Sequence, residues 1–200
     1  MPWPATARYD LEAAPGSLGL VQDLLNTISA GSPQEPDLLQ GIESAQKWVN
    51  EAMARWSEGV GQAVPDIILD AESLTELRSF RDDLQALVAL GPEAAQDAQE
   101  AVPVLHTATA ALQLGQDGLV RLEPRGSGWR RLAALVIAAA FEGQRADTRR
   151  RLKTCRNPRC KVAFFDRSRN NSGVWHDVKT CGNTVNLRAY RARRRATGQA

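Results

Sequence analysis

The sequence predicts an α+β protein that is mainly helical, with an N-terminal helical domain, one β-hairpin, and a small zinc-binding module that ends in a basic helix. Three observations predict this class. Apolar residues recur every three or four positions through most of the first 145 residues, which is the period of an α-helix. After the Asp117-Gly118 pair, side chains alternate with the two-residue period of a β-strand, as in the second strand of a hairpin. All three cysteines lie in the last third of the chain.

The expected boundaries follow from these patterns. Residues 1–16 are rich in proline and alanine and are predicted to be irregular. Residues 17–145 are predicted to form the helical domain, which includes the hairpin at about 104–124. Residues 150–196 are predicted to form the metal-binding module with its basic C-terminal helix.

Four helices and a short fifth are expected in the first domain. Ser17 is the predicted cap of the first helix, whose apolar face runs to Ile28, and Asp70 is the predicted cap of the third. The remaining predicted helices are a second from about Asp37 to Trp56, a short one between Glu93 and Glu100, and a last one from about Trp129 to Phe141.

The predicted hairpin pairs Val104–Leu114 with Leu119–Glu123 around the Asp-Gly turn. His106 is expected on its first strand, with no functional role. Trp48 and Trp56 are expected in the core of the domain.

The net charge of +2 hides a strong asymmetry along the chain. Residues 145–200 carry sixteen Lys or Arg against three acids, whereas residues 1–144 carry nine against twenty. Such a split indicates a polyanionic partner, although an acidic domain resting against a basic one would also explain it, and both can hold.

Localisation is expected to be cytoplasmic. The first seventeen residues contain three prolines and no apolar segment of the secretory type. The longest apolar run, Leu132–Phe141, is too short to span a bilayer. An odd number of cysteines argues against a disulfide scaffold and favours a reducing compartment with thiolates available for metal.

The spacing C-x4-C-x15-H-x4-C predicts one structural zinc ion held by Cys155, Cys160, His176 and Cys181. Four protein ligands leave no open position for catalytic water. Asp177 or a water is the alternative to His176 as fourth ligand. A metal-dependent nuclease built on His176 and Asp177 is a weaker alternative, because it would need the histidine free of the structural site.

The motifs around these ligands resemble the CGNR zinc finger family over roughly Arg150–Arg195. They occur in order as Cys155–Cys160, Phe164–Asn170, Trp175-His176 and Cys181-Gly182-Asn183. Two positions depart from the family pattern. Thr184 stands where the motif has arginine, so a phosphate or base contact is expected to be lost. His176 stands where cysteine is common, and histidine is an acceptable zinc ligand.

The N-terminal part resembles the ABATE domain that precedes this finger, through Leu20–Thr27, the helix of Arg81 and the hairpin. The resemblance implies a stress-induced transcription regulator whose first domain senses a small ligand, with Asn26 and Arg81 as candidate ligand-binding residues. The simpler role of Asn26 and Thr27 is a helix C-terminal cap. A partly buried Arg81 needs an acid or an anionic ligand, and Asp82 and Asp83 are expected to point elsewhere.

A basic helix is predicted from Val185 to Ala196, with Arg188, Arg191 and Arg195 on one face. Candidate nucleic-acid contacts are Asn183, Arg188, Arg191, Arg193, Arg194 and Arg195, with Asn186 and Tyr190 as further hydrogen-bonding residues. A solvated charged helix is the alternative. The module also contains three aromatic residues, Phe164, Phe165 and Trp175. They could stack on single-stranded bases, but their favoured role is to form a small core around the zinc.

Asp166 and Ser168 are expected to cap a turn or to hold a neighbouring arginine.

The leading hypothesis is a DNA-binding transcription regulator, tuned by a small-molecule effector or by homodimerisation. The alternative is an RNA- or protein-interaction module with purely structural zinc. An enzyme in the first domain is the third hypothesis and is not expected, because that domain has no cysteine, one histidine and no Gly-rich phosphate loop. Chelation is expected to unfold the finger and spare the helices.

Overall fold

A computed structural model describes residues 1–31, 33–91 and 105–196. Within these ranges the chain is mainly helical with two small antiparallel hairpins, so the predicted α+β class is confirmed. Four helices form the first part of the chain: α1 (Leu18–Leu25), α2 (Ile42–Val60), α3 (Ala71–Leu90) and α4 (Gly128–Arg145). The short helix predicted at Glu93–Glu100 lies outside the described residues.

Local capping chemistry sets the ends of α3. The carboxylate of Asp70 accepts a hydrogen bond from the backbone N–H of Ser73, as predicted for an N-cap. Gly91, which follows the last turn, has a φ of 76°. Glycine adopts this left-handed conformation without steric cost, so the helix ends there.

Two other predicted helix starts are corrected. Ser17 precedes α1, but its side chain does not cap the helix; its hydroxyl bonds instead with the carboxylate of Glu142 on α4. The second helix begins at Ile42, not at Asp37. Asp37 stays outside it, because its carboxylate accepts from the N–H of Leu39, and Gly41 is extended with a φ of −140°.

The first hairpin pairs β1 (Ala110–Leu114) with β2 (Val120–Pro124), with Leu112 opposite Leu122. The predicted Asp-Gly turn is confirmed, with Gly118 at a φ of 76°. Hydrogen bonds from the side chain of Arg121 and the N–H of Leu119 hold Asp117 and lower its pKa to about 2.

The first strand is shorter than predicted. Described residues Leu105–Thr109 have no strand structure, so His106 does not lie on a strand. Its Nε2 lies 2.8 Å from a carboxylate oxygen of Asp83, and its ring packs edge-on against Phe80. This contact ties the segment before β1 to α3.

One main core joins the helices to the elements on either side of them. Trp48 and Trp56 are buried in it, as predicted. The N-terminal segment, predicted to be irregular, forms a 3₁₀ turn at Thr6–Tyr9 and places Trp3 and Ala5 in the same core. Leu152 and Ala163 of the C-terminal module also belong to it, as members of β3 (Leu152–Thr154) and β4 (Ala163–Phe165).

A buried carboxylate fixes the N-terminal turn to the helices. Asp23 on α1 is fully buried and accepts from the N–H of Thr6 at 2.7 Å and from Trp48 Nε1 at 2.8 Å. Burial raises the pKa of Asp23 to about 6, against the lowering effect of these hydrogen bonds.

After β4 the chain crosses a long loop, makes a wide π-type turn at Val178–Gly182 and enters α5 (Asn183–Ala196), the last described element. The strands β3 and β4 form the second antiparallel pair, with Lys153 opposite Phe164. Over the described ranges, every helix is too short or too polar to cross a lipid bilayer.

Candidate metal centre

The four predicted metal ligands come together in one cluster. One ligand atom from each of Cys155, Cys160, His176 and Cys181 lies within 4.8 Å of the other three. The Nδ1 atom of His176 is 3.3 Å from Cys160 Sγ and 3.7 Å from Cys181 Sγ. Tetrahedral zinc with bonds of about 2.0–2.3 Å separates its ligand atoms by similar distances. The donor set therefore fits one tetrahedral, thiolate-preferring metal ion.

A tight loop brings the first two cysteines together. The N–H of Cys155 donates to the carbonyl of Val162, and the N–H of Cys160 donates to that of Asn157, each at 2.8 Å. Lys161 has a φ of 62°, which turns the chain back into β4.

Asn157 contacts a metal ligand and is not among the predicted site residues. It is buried, and its Nδ2 donates to Cys181 Sγ at 3.3 Å, which joins the two ligand pairs. Its Oδ1 accepts from the N–H of Arg159 at 3.2 Å. Hydrogen bonds to sulfur orient metal thiolates and stabilise their charge. An Asn-Pro pair between cysteines predicts a turn, but not this contact.

Hydrogen bonding and burial shift the pKa values of the three thiols. The hydrogen bond from Cys160 lowers the pKa of Cys155 to about 4, and the same contact raises that of Cys160. Burial raises the pKa of Cys181. Three thiolates at this separation therefore require a cation to offset their repulsion.

Asp177, the alternative fourth ligand, has a different role. Its Oδ1 accepts from the N–H groups of Lys179 at 2.6 Å and Thr180 at 3.2 Å, so it caps the π-type turn. Desolvation raises the pKa of this carboxyl, but the hydrogen bonds together outweigh it and the net shift is downward. Since its carboxylate is not among the clustered ligand atoms, the geometry favours His176.

Asp166 caps the long loop, as predicted, and Arg151 Nη1 donates to the backbone carbonyls of Asp166 and Ser168 at 3.0 and 2.8 Å. Its carboxylate accepts from Lys153 Nζ at 2.7 Å and from the N–H groups of Ser168 and Gly173. Burial raises the pKa of this carboxyl, but these hydrogen bonds outweigh the effect and the net shift is downward. A Cβ at Gly173 would lie 2.8 Å from Asp166 Cγ, so glycine is required for this approach.

The aromatic residues of the finger divide between the two cores. Trp175 packs against the smaller cluster that contains the three cysteines, and Gly182 lies against its indole. Phe165 packs against the main core, and Phe164 is buried. The predicted core around the metal therefore includes Trp175, whereas the prediction was wrong for Phe165, which packs against the main core. The residues around the metal also come from the first domain, including Ile28 and Ala30.

The metal centre fixes the start of α5 and leaves the helix exposed. Cys181 lies in the turn that leads directly into it. The helix contains five arginines and no acid, and the side chains from Asn186 to Arg195 are exposed. Arg194 stacks over the ring of Tyr190 at 5.9 Å. Thr184, in place of the family arginine, donates its hydroxyl to the carbonyl of Thr180 at 2.5 Å and does not extend the basic surface.

Asn26 lies at the junction between α1 and the finger. It occupies the C-cap position of α1, as its simpler role predicts. Its Oδ1 accepts from the N–H of Ala163 at 2.8 Å, and its Nδ2 donates to the Ala163 carbonyl at 3.0 Å. Gln22, one turn earlier, donates to the same carbonyl at 3.3 Å. The amide of Asn26 is thus engaged with β4 rather than facing a cavity.

Arg81 is buried, as predicted, and two acids meet its charge. Its Nη1 lies 2.8 Å from Asp37, and its Nε lies 2.9 Å from Asp82. The expectation that Asp82 points elsewhere was wrong, because its carboxylate lies within hydrogen-bond distance of the Arg81 guanidinium. Arg81 also donates to Thr27 Oγ1 at 3.3 Å.

Comparison with protein families agrees with this architecture. Residues 18–143 match the ABATE family, described as "Putative stress-induced transcription regulator". The match covers more than half of the chain. The chain belongs to the ABATE family. Residues 151–194 match the CGNR zinc finger, so the metal cluster and most of α5 lie inside that finger. No curated protein matches the chain.

Proposed function

We propose that this ABATE protein is a DNA-binding transcription regulator in which one structural zinc ion holds α5 in position to contact duplex DNA. The supporting observation is a fourteen-residue helix that is exposed, carries five arginines and directly follows the turn that contains the metal ligand Cys181. The role is non-enzymatic.

Zinc is the proposed metal because of its donor set. Three cysteine sulfurs and one histidine nitrogen suit zinc better than magnesium or calcium, which prefer oxygen ligands. Four protein ligands complete the tetrahedron, so the ion would stabilise the finger and supply no reactive water.

The shape and charge of α5 support the DNA assignment. A helix of fourteen residues is about 21 Å long, and the major groove admits a helix of ordinary width. Arg188, Arg191 and Arg195 fall on one face, with Arg194 beside them. Arginine binds phosphate and the guanine edge with two parallel hydrogen bonds.

The alternative is an RNA- or protein-interaction module. Tyr190 is 51 % exposed on α5, so its ring can stack on an unpaired base. The residues predicted as candidates for stacking are instead engaged in packing: Phe164, Phe165 and Trp175. This difference favours duplex DNA over single-stranded RNA.

Fluorescence anisotropy with labelled duplex DNA at increasing salt tests the assignment. The double variant Arg188→Ala/Arg191→Ala should bind at least about tenfold more weakly and should reduce the slope of log K against log salt by about two.

The matched control is Arg125→Ala/Arg130→Ala, which removes two exposed arginines from the helical domain. If the α5 variant and the control bind alike, α5 is not the contact. Preference for single-stranded RNA over the duplex would instead support the alternative.

A further inference from the structure

A cavity of about 720 Å³ lies between α3, the loop that follows α1, and the loop that joins the first two cysteines. Its lining includes Ile28, Asp37, Arg81, Gln85, Arg156 and Lys161. Binding sites for small molecules have volumes of about 300–1,000 Å³, so the size suits one compact ligand.

The cavity presents cations whose charge is not neutralised by its acids. Its two acids, Asp37 and Asp82, are both paired with Arg81. The other two cations, Arg156 and Lys161, are exposed, and across residues 1–31, 33–91 and 105–196 neither side chain has a salt bridge or hydrogen bond. An anion entering the cavity would meet two available positive groups.

A buried acceptor without a donor lies in the same wall. Gln85 Nε2 donates to the carbonyl of Lys161 at 2.7 Å, whereas Gln85 Oε1 is buried with no partner among the described residues. Buried polar atoms are normally satisfied, so this oxygen is a place for a ligand N–H or O–H. Ile28, Ala86 and Ala89 supply an apolar surface beside it.

We propose that this cavity binds a small organic carboxylate with an apolar body. Arg156 and Lys161 would hold the carboxylate, a hydroxyl or amino group of the ligand would donate to Gln85 Oε1, and the apolar wall would cover the body. Cys155 also lines the cavity, so the bound acid would touch both α3 and the loop of the metal centre. The inference names a ligand class for the proposed regulator, but its test uses no nucleic acid and can fail or succeed independently of DNA binding.

The test is a titration of the full-length, metal-loaded protein followed by two-dimensional ¹H–¹⁵N NMR. The probes are small aromatic and aliphatic carboxylates that carry a hydroxyl or amino group, each compared with its own primary amide, beginning with 4-hydroxybenzoate and 4-hydroxybenzamide. We expect saturable shifts at the backbone amides of Gln85, Ala86 and Asn157 with at least one acid, and at least about fivefold weaker binding of its amide.

The double variant Arg156→Ala/Lys161→Ala should weaken binding of that acid at least about fivefold, whereas Arg125→Ala/Arg130→Ala, which removes equal charge elsewhere, should not. The proposal is overturned if no acid in the set produces saturable shifts at these amides. It is also overturned if acid and amide bind equally, or if the cavity variant binds as tightly as the control.

Discussion

Replacing Asn26 with alanine removes the amide that joins α1 to β4. The N–H of Ala163 loses its acceptor at 2.8 Å, and the Ala163 carbonyl keeps only Gln22 at 3.3 Å. A buried donor left without a partner costs about 1–3 kcal/mol, and the second lost hydrogen bond contributes about 0.5–1.5 kcal/mol. We therefore expect the free energy of unfolding to fall by about 2–4 kcal/mol.

Urea unfolding of the metal-loaded protein, followed by circular dichroism, measures this change. Asn50→Ala is the matched control, because Asn50 is an exposed asparagine on α2, and its loss should alter stability by less than about 0.5 kcal/mol. Faster hydrogen exchange at the Ala163 amide should accompany the loss in Asn26→Ala. If Asn26→Ala and Asn50→Ala unfold at the same urea concentration as wild type, the junction does not hold the finger in place.

Two further predictions concern pH and metal. Because the pKa of Asp23 is raised to about 6, above its unfolded value of 3.8, its contribution to stability is full below about pH 4 and is lost as the pH rises through 6. Between pH 4 and 7, the unfolding free energy of wild type should fall by about 2 kcal/mol relative to Asp23→Asn, and parallel pH curves would contradict this. Chelation should disorder the loops between Cys155 and Gly182 while α1–α4 stay folded. The main core that holds these helices is built mostly from the first domain, and among the described residues the finger contributes only Leu152 and Ala163 to its buried members. Complete loss of the helical dichroism signal would refute that prediction.

Features that depend on neighbours in sequence could be predicted from the sequence. The metal ligands follow from spacing, because two short pairs of ligand residues can close on one ion. The Asp70 cap and the Asp117-Gly118 turn follow from side chains that bond to backbone groups within three residues. The basic helix follows from its composition and its position after Cys181.

Features that depend on distant residues could not be predicted. Asn26 and Ala163 are separated by 137 positions, and no local pattern distinguishes an amide that bonds a strand from one that caps a helix. Arg81 meets Asp37 across 44 positions, so its partner was missed. The shared core could not be predicted for the same reason, because the burial of Leu152 and Ala163 under the helices is a contact between residues far apart in sequence.

The most direct test of the proposed function is selection of bound sequences from a random pool of duplex DNA, with the zinc-loaded full-length protein near physiological salt. The account predicts enrichment of a short motif by the wild-type protein and its loss in Arg188→Ala/Arg191→Ala. A wild-type pool with no enriched motif, indistinguishable from that of the double variant, would contradict sequence-specific DNA binding through α5.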